Sequence, residues 1–252
     1  MGEAYDALMG RMRELDVIGQ IGGLLGWDQE VMMPPKGAEM RAEQLAWISK
    51  EGHTRMTAPE VGELLVAAES EANGSEVEQG NLRIIRDSYD KATKKPTEFV
   101  EEMARHTSKS IISWTEARKK NDFSIFRDDL AKMIGMSREL TGYLGYEENP
   151  YDALLDLYES GLTVAKLDPL FAGLRESSVP LIKAVSELED KPDCSWVHAH
   201  PWPKASQEAL SQAISEAIGF DFKAGRRDES THPFCGGSNP DDVRWTTRYD
   251  EK

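Results

Sequence analysis

Two short stretches carry residue types that chemistry uses and packing alone does not demand: His232-Pro233-Phe234 and Asp242-Val243-Arg244-Trp245-Thr246. Val243, Trp245, Thr247 and Tyr249 alternate with Arg244, Thr246 and Arg248, the period of two that marks a half-buried strand. On such a strand Asp242, Arg244 and Thr246 share one face. An arginine flanked two residues away by Asp and Thr can be held in place and still offer its planar fork to a carboxylate. The plainer alternative is an exposed salt bridge on an edge strand. A third stretch, Gly26-Trp27-Asp28-Gln29-Glu30 followed by Met32-Met33-Pro34-Pro35, reads as a fixed helix-to-loop corner, either of packing or of a site.

Other chemistries find less support. The five histidines are His53, His106, His198, His200 and His232, and none belongs to an H-E-x-x-H pattern, which does not occur in the sequence. His198 and His200 would share a strand face, but with Cys194 as the only nearby third candidate they leave a zinc set incomplete. His106 lies on an apolar helix face and reads as a satisfied core residue. Cys194 and Cys235 read as ordinary free thiols. Neither Gly22-Gly23 nor Gly236-Gly237 follows a strand and opens a helix, so nucleotide phosphate binding is not expected.

The elements that must position these residues are mostly helices. Tyr5, Leu8, Met12 and Leu15 define a helix over 4–18, and Pro34-Pro35-Lys36-Gly37 marks a loop. Further helices are expected over 38–50, from Pro59 to a stop at Asn73-Gly74-Ser75, and over 76–92. The longest, 96–119, keeps Phe99, Met103, His106, Ser110, Trp114 and Ala117 on one face and should pair antiparallel with 124–144. Asn149-Pro150 caps a short helix over 150–158. Residues 164–189 read as helix interrupted at Pro169 and Pro180, 191–203 as loop, and 204–218 as helix closed by Gly219. From Phe220 to Gly237 there is little periodicity, which leaves the strand at 243–249 without an evident partner.

The composition limits what such an assembly does. A chain of 252 residues and net charge −15, with 39% hydrophobic and 30% charged residues, is globular and strongly acidic. Such a surface repels nucleic-acid phosphates and anionic lipid, so neither is an expected partner. The longest uncharged apolar stretches, 21–27 and 64–68, fall far short of the roughly 18 residues that span a bilayer. The acidic opening MGEAYDAL lacks the order of a signal peptide, and two cysteines are too few for a disulfide framework. A reduced cytoplasmic protein is expected.

Taken together, the stretches resemble the carboxypeptidase Taq family of thermostable metallocarboxypeptidases. Gly26 to Pro34, Gly37-Ala38-Glu39 and Arg41 to Leu45 look like the family's N-terminal signature. Tyr151 to Asp156 with Tyr158-Glu159 resembles its middle region, and His232-Pro233-Phe234, Gly236-Gly237 and the D-x-R-x-T run from Asp242 to Thr246 look like two later motifs. The resemblance covers nearly all of this chain but about the first half of a typical member.

It implies a mainly α fold: a multi-helix assembly with long antiparallel helices and one short C-terminal β-strand or hairpin. Residues 1–252 would form a single helical unit, helical over 1–219, with a loop and an active-site-type strand over 220–252. It also implies release of single residues from peptide C-termini with one metal ion, zinc or cobalt. The family's ligands come from an H-E-x-x-H helix beyond the D-x-R-x-T strand and from a later Glu. No metal ligand, cofactor or catalytic residue is therefore assigned within this chain, and it is expected to be inactive alone. His232, Phe234, Asp242, Arg244 and Thr246 are the candidate lining of a substrate cleft. A peptide would be bound only with a complementary C-terminal chain in place, and a homodimer is a further expected association. The other reading is a non-catalytic helical binding or regulatory homologue, which should be finished at its surface where a partial one exposes apolar faces.

Overall fold

The structure is a computed structural model that describes residues 2–71, 75–189 and 192–251, without the side chains of Val197, His198 and Ser238. Asn73 and Gly74, where a helix stop is expected, lie outside the described residues. The helices are α1 (Glu3–Val31), α2 (Ala38–Met56), α3 (Pro59–Glu71), α4 (Glu76–Thr93), α5 (Thr97–Lys120), α6 (Arg127–Leu144), α7 (Pro150–Leu155), α8 (Val164–Ser186) and α9 (Lys204–Ala217). The strands are β1 (Gly225–Glu229), β2 (Cys235–Asn239) and β3 (Asp242–Thr247). Two compact units result: Met1–Ser137 with Asp221–Arg248, and Arg138–Phe220 with Tyr249–Lys252.

In the first unit α1, α3 and α4 enclose a core of Tyr5, Leu8, Val61, Leu65, Ala68, Leu82 and Ile85. Leu8 and Leu65 are fully buried, and the Tyr5 hydroxyl accepts a 2.8 Å hydrogen bond from Asn81. Helix α1 departs from the expected 4–18. It continues to Val31, 29 residues and about 43 Å, through Gly19, Gly22, Gly23 and Gly26. Each interior glycine costs a helix about 1 kcal/mol relative to alanine. Packing against α2 and α3 outweighs that cost, a tertiary effect that local propensity does not reveal. The helix stops where Met32 and Met33 both donate to the Asp28 carbonyl and Pro34, with no N–H, follows.

Helix α5 matches its expected span closely, and Asn121 ends it in the left-handed conformation (φ 51°). Along α6 the chain returns beside α5: Glu102 meets Lys132, and His106 meets Asp129. His106 is buried, and its Nε2–H donates to the Asp129 carbonyl at 3.0 Å.

The sheet departs most from expectation. The strand at Asp242–Thr247 forms, but it is neither an edge nor alone. The order is β1-β3-β2, with β1 parallel and β2 antiparallel to β3. Both partners come from the stretch read as loop. β1 reads Gly-Arg-Arg-Asp-Glu and β2 reads Cys-Gly-Gly-Ser-Asn, so neither carries the alternation of a strand. Their state is set by pairing with β3, not by their own pattern. Gly237 is required where β2 turns into β3, because a Cβ there would lie 2.6 Å from the Asp242 carbonyl oxygen.

In the second unit the Asn149 side chain caps α7 through the Tyr151 N–H, and Asp152 caps the start of α8 through the Val164 N–H. Helix α8 is continuous through Pro169 and Pro180, where interruptions are expected. The prolines are 11 residues apart, about three turns, so they lie on the same side of the helix. Both are exposed.

Candidate functional site: an arginine pair on a tryptophan beside the β3 strand

On β3 the register places Arg244 directly beside Arg226 of β1. Like charges on neighbouring strands repel, and each arginine is balanced by an Asp two residues along its own strand. Arg244 donates from Nε and Nη2 to Asp242 at 2.8 and 3.0 Å, and Arg226 donates to Asp228 at 2.7 and 2.6 Å. Hydrogen bonding to Asp228 raises the pKa of Arg226. Both guanidinium groups lie against the indole of Trp27, 4.3 Å (Arg244) and 4.8 Å (Arg226) from its centroid. Trp27 is 8% exposed and its Nε1 has no hydrogen-bond partner. The result is two oriented cations against one indole.

The remaining residues of the helix corner secure that indole. Arg41 donates to the Asp28 carboxylate and to the Leu25 carbonyl, both at 2.6 Å. The Gln29 amide and Ser108 exchange hydrogen bonds, at 3.1 Å to the Ser108 carbonyl and 2.7 Å from its hydroxyl. Burial pushes the Glu30 carboxyl up, and nearby His232 partly offsets that shift.

Thr246 is buried and acts on the backbone. The Phe234 N–H donates to its hydroxyl at 2.9 Å, and that hydroxyl pairs with Ser230 at 2.6 Å. Ser230 in turn donates to the His232 carbonyl at 2.8 Å. Three hydrogen bonds thus fix the turn that carries His232-Pro233-Phe234.

The structure divides the five candidate residues. Phe234 and Arg244 line one cavity of about 440 Å³, with Gly23, Gly26, Trp27 and Gly236. Asp242 orients Arg244, and Thr246 pins Phe234. His232 turns elsewhere: it is exposed and packs edge-on against Trp114 of α5 at 6.2 Å. Its neighbour Thr231 borders a second cavity of about 620 Å³, with Glu30, Met33, Ile111 and Ile112 among its walls. Sequence reasoning does not identify Trp27 as the partner of Arg244, or Arg226 as its companion. The one available signal is the mirrored spacing Arg226-x-Asp228 and Asp242-x-Arg244.

With this geometry in place, the family can be stated. The chain belongs to the carboxypeptidase Taq (M32) metallopeptidase family, whose profile matches residues 7–252. It is 39% identical over 230 residues to carboxypeptidase 1 of Bacillus subtilis, a match covering 91% of this chain and 46% of that protein. It is 36% identical over 265 residues to thermostable carboxypeptidase 1 of Thermus thermophilus, covering 98% of this chain and 51% of that protein. A solved structure described as the BsuCP crystal structure superposes with a TM-score of 0.95 at 36% identity, over 100% of this chain and 50% of the other. The chain thus spans about half the length of the relatives it matches.

The family is one of metallopeptidases, yet among the described residues no group of three or more His, Cys, Asp or Glu could hold a metal ion. The side chain of His198, from the Cys194–His198–His200 set, lies outside the description; Cys194 is exposed. The described residues of this chain therefore do not fit the family's metal. No helix among them is long and apolar enough to cross a membrane.

Two outcomes follow. Thr246→Val leaves the Phe234 N–H and the Ser230 hydroxyl short of a partner, and should lower stability by about 1–3 kcal/mol in urea unfolding. A carboxyl whose pKa is raised by the fold favours folding below its unfolded pKa and loses that contribution as pH rises through the folded value. Glu30→Gln should therefore raise the urea midpoint at pH 7, with the gain shrinking as pH falls toward 4.

Proposed function

We propose that this chain supplies the groove wall and the carboxylate-recognising arginine of a metal-dependent carboxypeptidase, whose metal ligands and general base come from sequence outside these 252 residues. The observation that carries the reading is Arg244. It is fixed on Trp27 and Asp242, it opens to a cavity, and it belongs to a chain that matches half of each metallocarboxypeptidase relative. Asp242 occupies Nε and Nη2, so a peptide's C-terminal carboxylate would approach the Nη1 side. Phe234 and the glycine-lined wall leave room for an apolar terminal side chain and for close approach of main chain. His232, on the other side of the turn, would meet the peptide only further along the groove. The metal, zinc or cobalt by family resemblance, would be held by the complementary segment. A cytoplasmic setting suits the two exposed free thiols.

A non-catalytic homologue would be finished at its surface. The exposed apolar faces of α8 and α9 weigh against that reading.

The purified chain should release no C-terminal residues in a chelator-sensitive manner, and detectable release would overturn this assignment. In the enzyme completed with the rest of a family member, Arg244→Ala should lower kcat/KM about tenfold to a hundredfold, as loss of a charged hydrogen bond requires. An unchanged kcat/KM would remove Arg244 from the site.

A further inference from the structure

The cavity of about 620 Å³ that Thr231 borders has the size of a small-molecule pocket. Met33, just beyond α1, and Ile111 and Ile112 of α5 give it apolar walls. Two carboxylates line it, and their surroundings differ. Glu116 accepts a 2.6 Å hydrogen bond from Lys120. Glu30 is half-buried, yet no described residue gives it a hydrogen bond or an ion pair, and His232 offsets its charge only in part. Glu30 also stands in the last turn of α1, which holds no basic residue of its own. The last carbonyls of a helix gather negative charge there, and Arg41 reaches back only to Leu25 and Asp28. Helix α5 shows the contrary arrangement. Its last turn holds Arg118, Lys119 and Lys120, so the two lysines that line the cavity already face a negative helix end and Glu116. Burial, the helix end and the lack of a partner all disfavour the charge on Glu30. An acid kept in a cavity where the fold penalises it marks a binding group.

We propose that this cavity binds a protonated primary amine carried on an apolar body, with the ammonium on the Glu30 carboxylate and the body against Met33, Ile111 and Ile112. An ammonium brings N–H donors to an acceptor that lacks one. It also neutralises the carboxylate and the helix end together. The apolar walls add the burial of hydrocarbon. An anionic ligand fits less well, because both lysines are already balanced and the chain carries a net charge of −15. A bare metal ion fits less well, because the described residues offer no group of three or more ligating His, Cys, Asp or Glu. Two sources share the favoured chemistry: a free amine, and the N-terminus of a peptide that begins with an apolar residue. The proposal goes beyond the role of Arg244 and holds whether or not the chain serves a carboxypeptidase.

The test is calorimetric titration of the chain with phenethylammonium, with the methyl resonances of Ile111 and Ile112 locating the ligand. One-to-one binding with a Kd of about 1 mM or tighter is expected. Phenethyl alcohol, which keeps the body and drops the charge, should bind at least about tenfold more weakly. Glu30→Gln should weaken the amine by about tenfold or more. That substitution is expected to raise the urea midpoint at pH 7, so a loss of binding would not reflect unfolding. Ile112→Asn, at a position already partly exposed, should weaken the amine and the alcohol alike. Phenylalanyl-glycine amide separates the two sources: tighter binding than phenethylammonium assigns the cavity to peptide N-termini, weaker binding to free amines, and either supports the site. Equal binding of amine and alcohol would overturn the proposal. So would a Glu30→Gln variant that binds as the parent does, or no saturation up to about 10 mM. The titration is repeated on the chain completed with the rest of a family member. Retained binding supports the site, whereas loss there would overturn it by showing that the polypeptide supplies its own cation to Glu30.

Discussion

The contact of Trp27 with Arg226 and Arg244 joins the helical layer to the sheet. Two guanidinium groups side by side on neighbouring strands would repel each other and seek water. Here each is neutralised by a carboxylate on its own strand and laid against the same indole. The constraint runs outward from there. Helix α1 must continue past four glycines to deliver Trp27, and Arg41 and Ser108 must secure the residues on either side of it. β3 must be the central strand so that Arg226 stands beside Arg244. The same strand, two residues further on, uses Thr246 to tie down the turn that carries Phe234. Arg244 is thus oriented by the sheet, the helix corner and its own Asp together. That is the preorganisation a recognition site needs, since little reorganisation remains when a ligand arrives.

Much of this was legible in the sequence. Apolar spacing located α5 to within a residue or so, because one buried face over several turns is a strong periodic signal. The alternation at 242–247 gave β3 and the common face of Asp242, Arg244 and Thr246. What was not legible came from non-local pairing. β1 and β2 have no apolar alternation and exist as strands because β3 lies between them. The glycines of α1 resemble a break only until packing is considered. The prolines of α8 resemble breaks only until their shared exposed side is known. His232 and Arg244 look like one site along the chain, but the turn at Pro233 sends them to different neighbours, Trp114 and Trp27.

The two units differ in a way that bears on function. The first has a filled core around Leu8 and Leu65 and lines both open cavities. The second leaves its longest helix apolar and exposed. The cavity beside Arg244 thus lies in the unit with the filled core, and the exposed apolar helix lies in the other. Membership in a family whose relatives are about twice its length fits that description.

The central claim is that the cavity at Arg244 recognises the carboxylate of a peptide terminus. The most direct measurement is a nuclear magnetic resonance titration of this chain, completed with the rest of a family member, with a short N-acetylated peptide and with its C-terminally amidated twin. The account predicts that the free acid alone shifts the Arg244 Nε–H and Trp27 indole N–H resonances. Equal shifts from both peptides, or shifts confined to residues remote from Trp27, would contradict it.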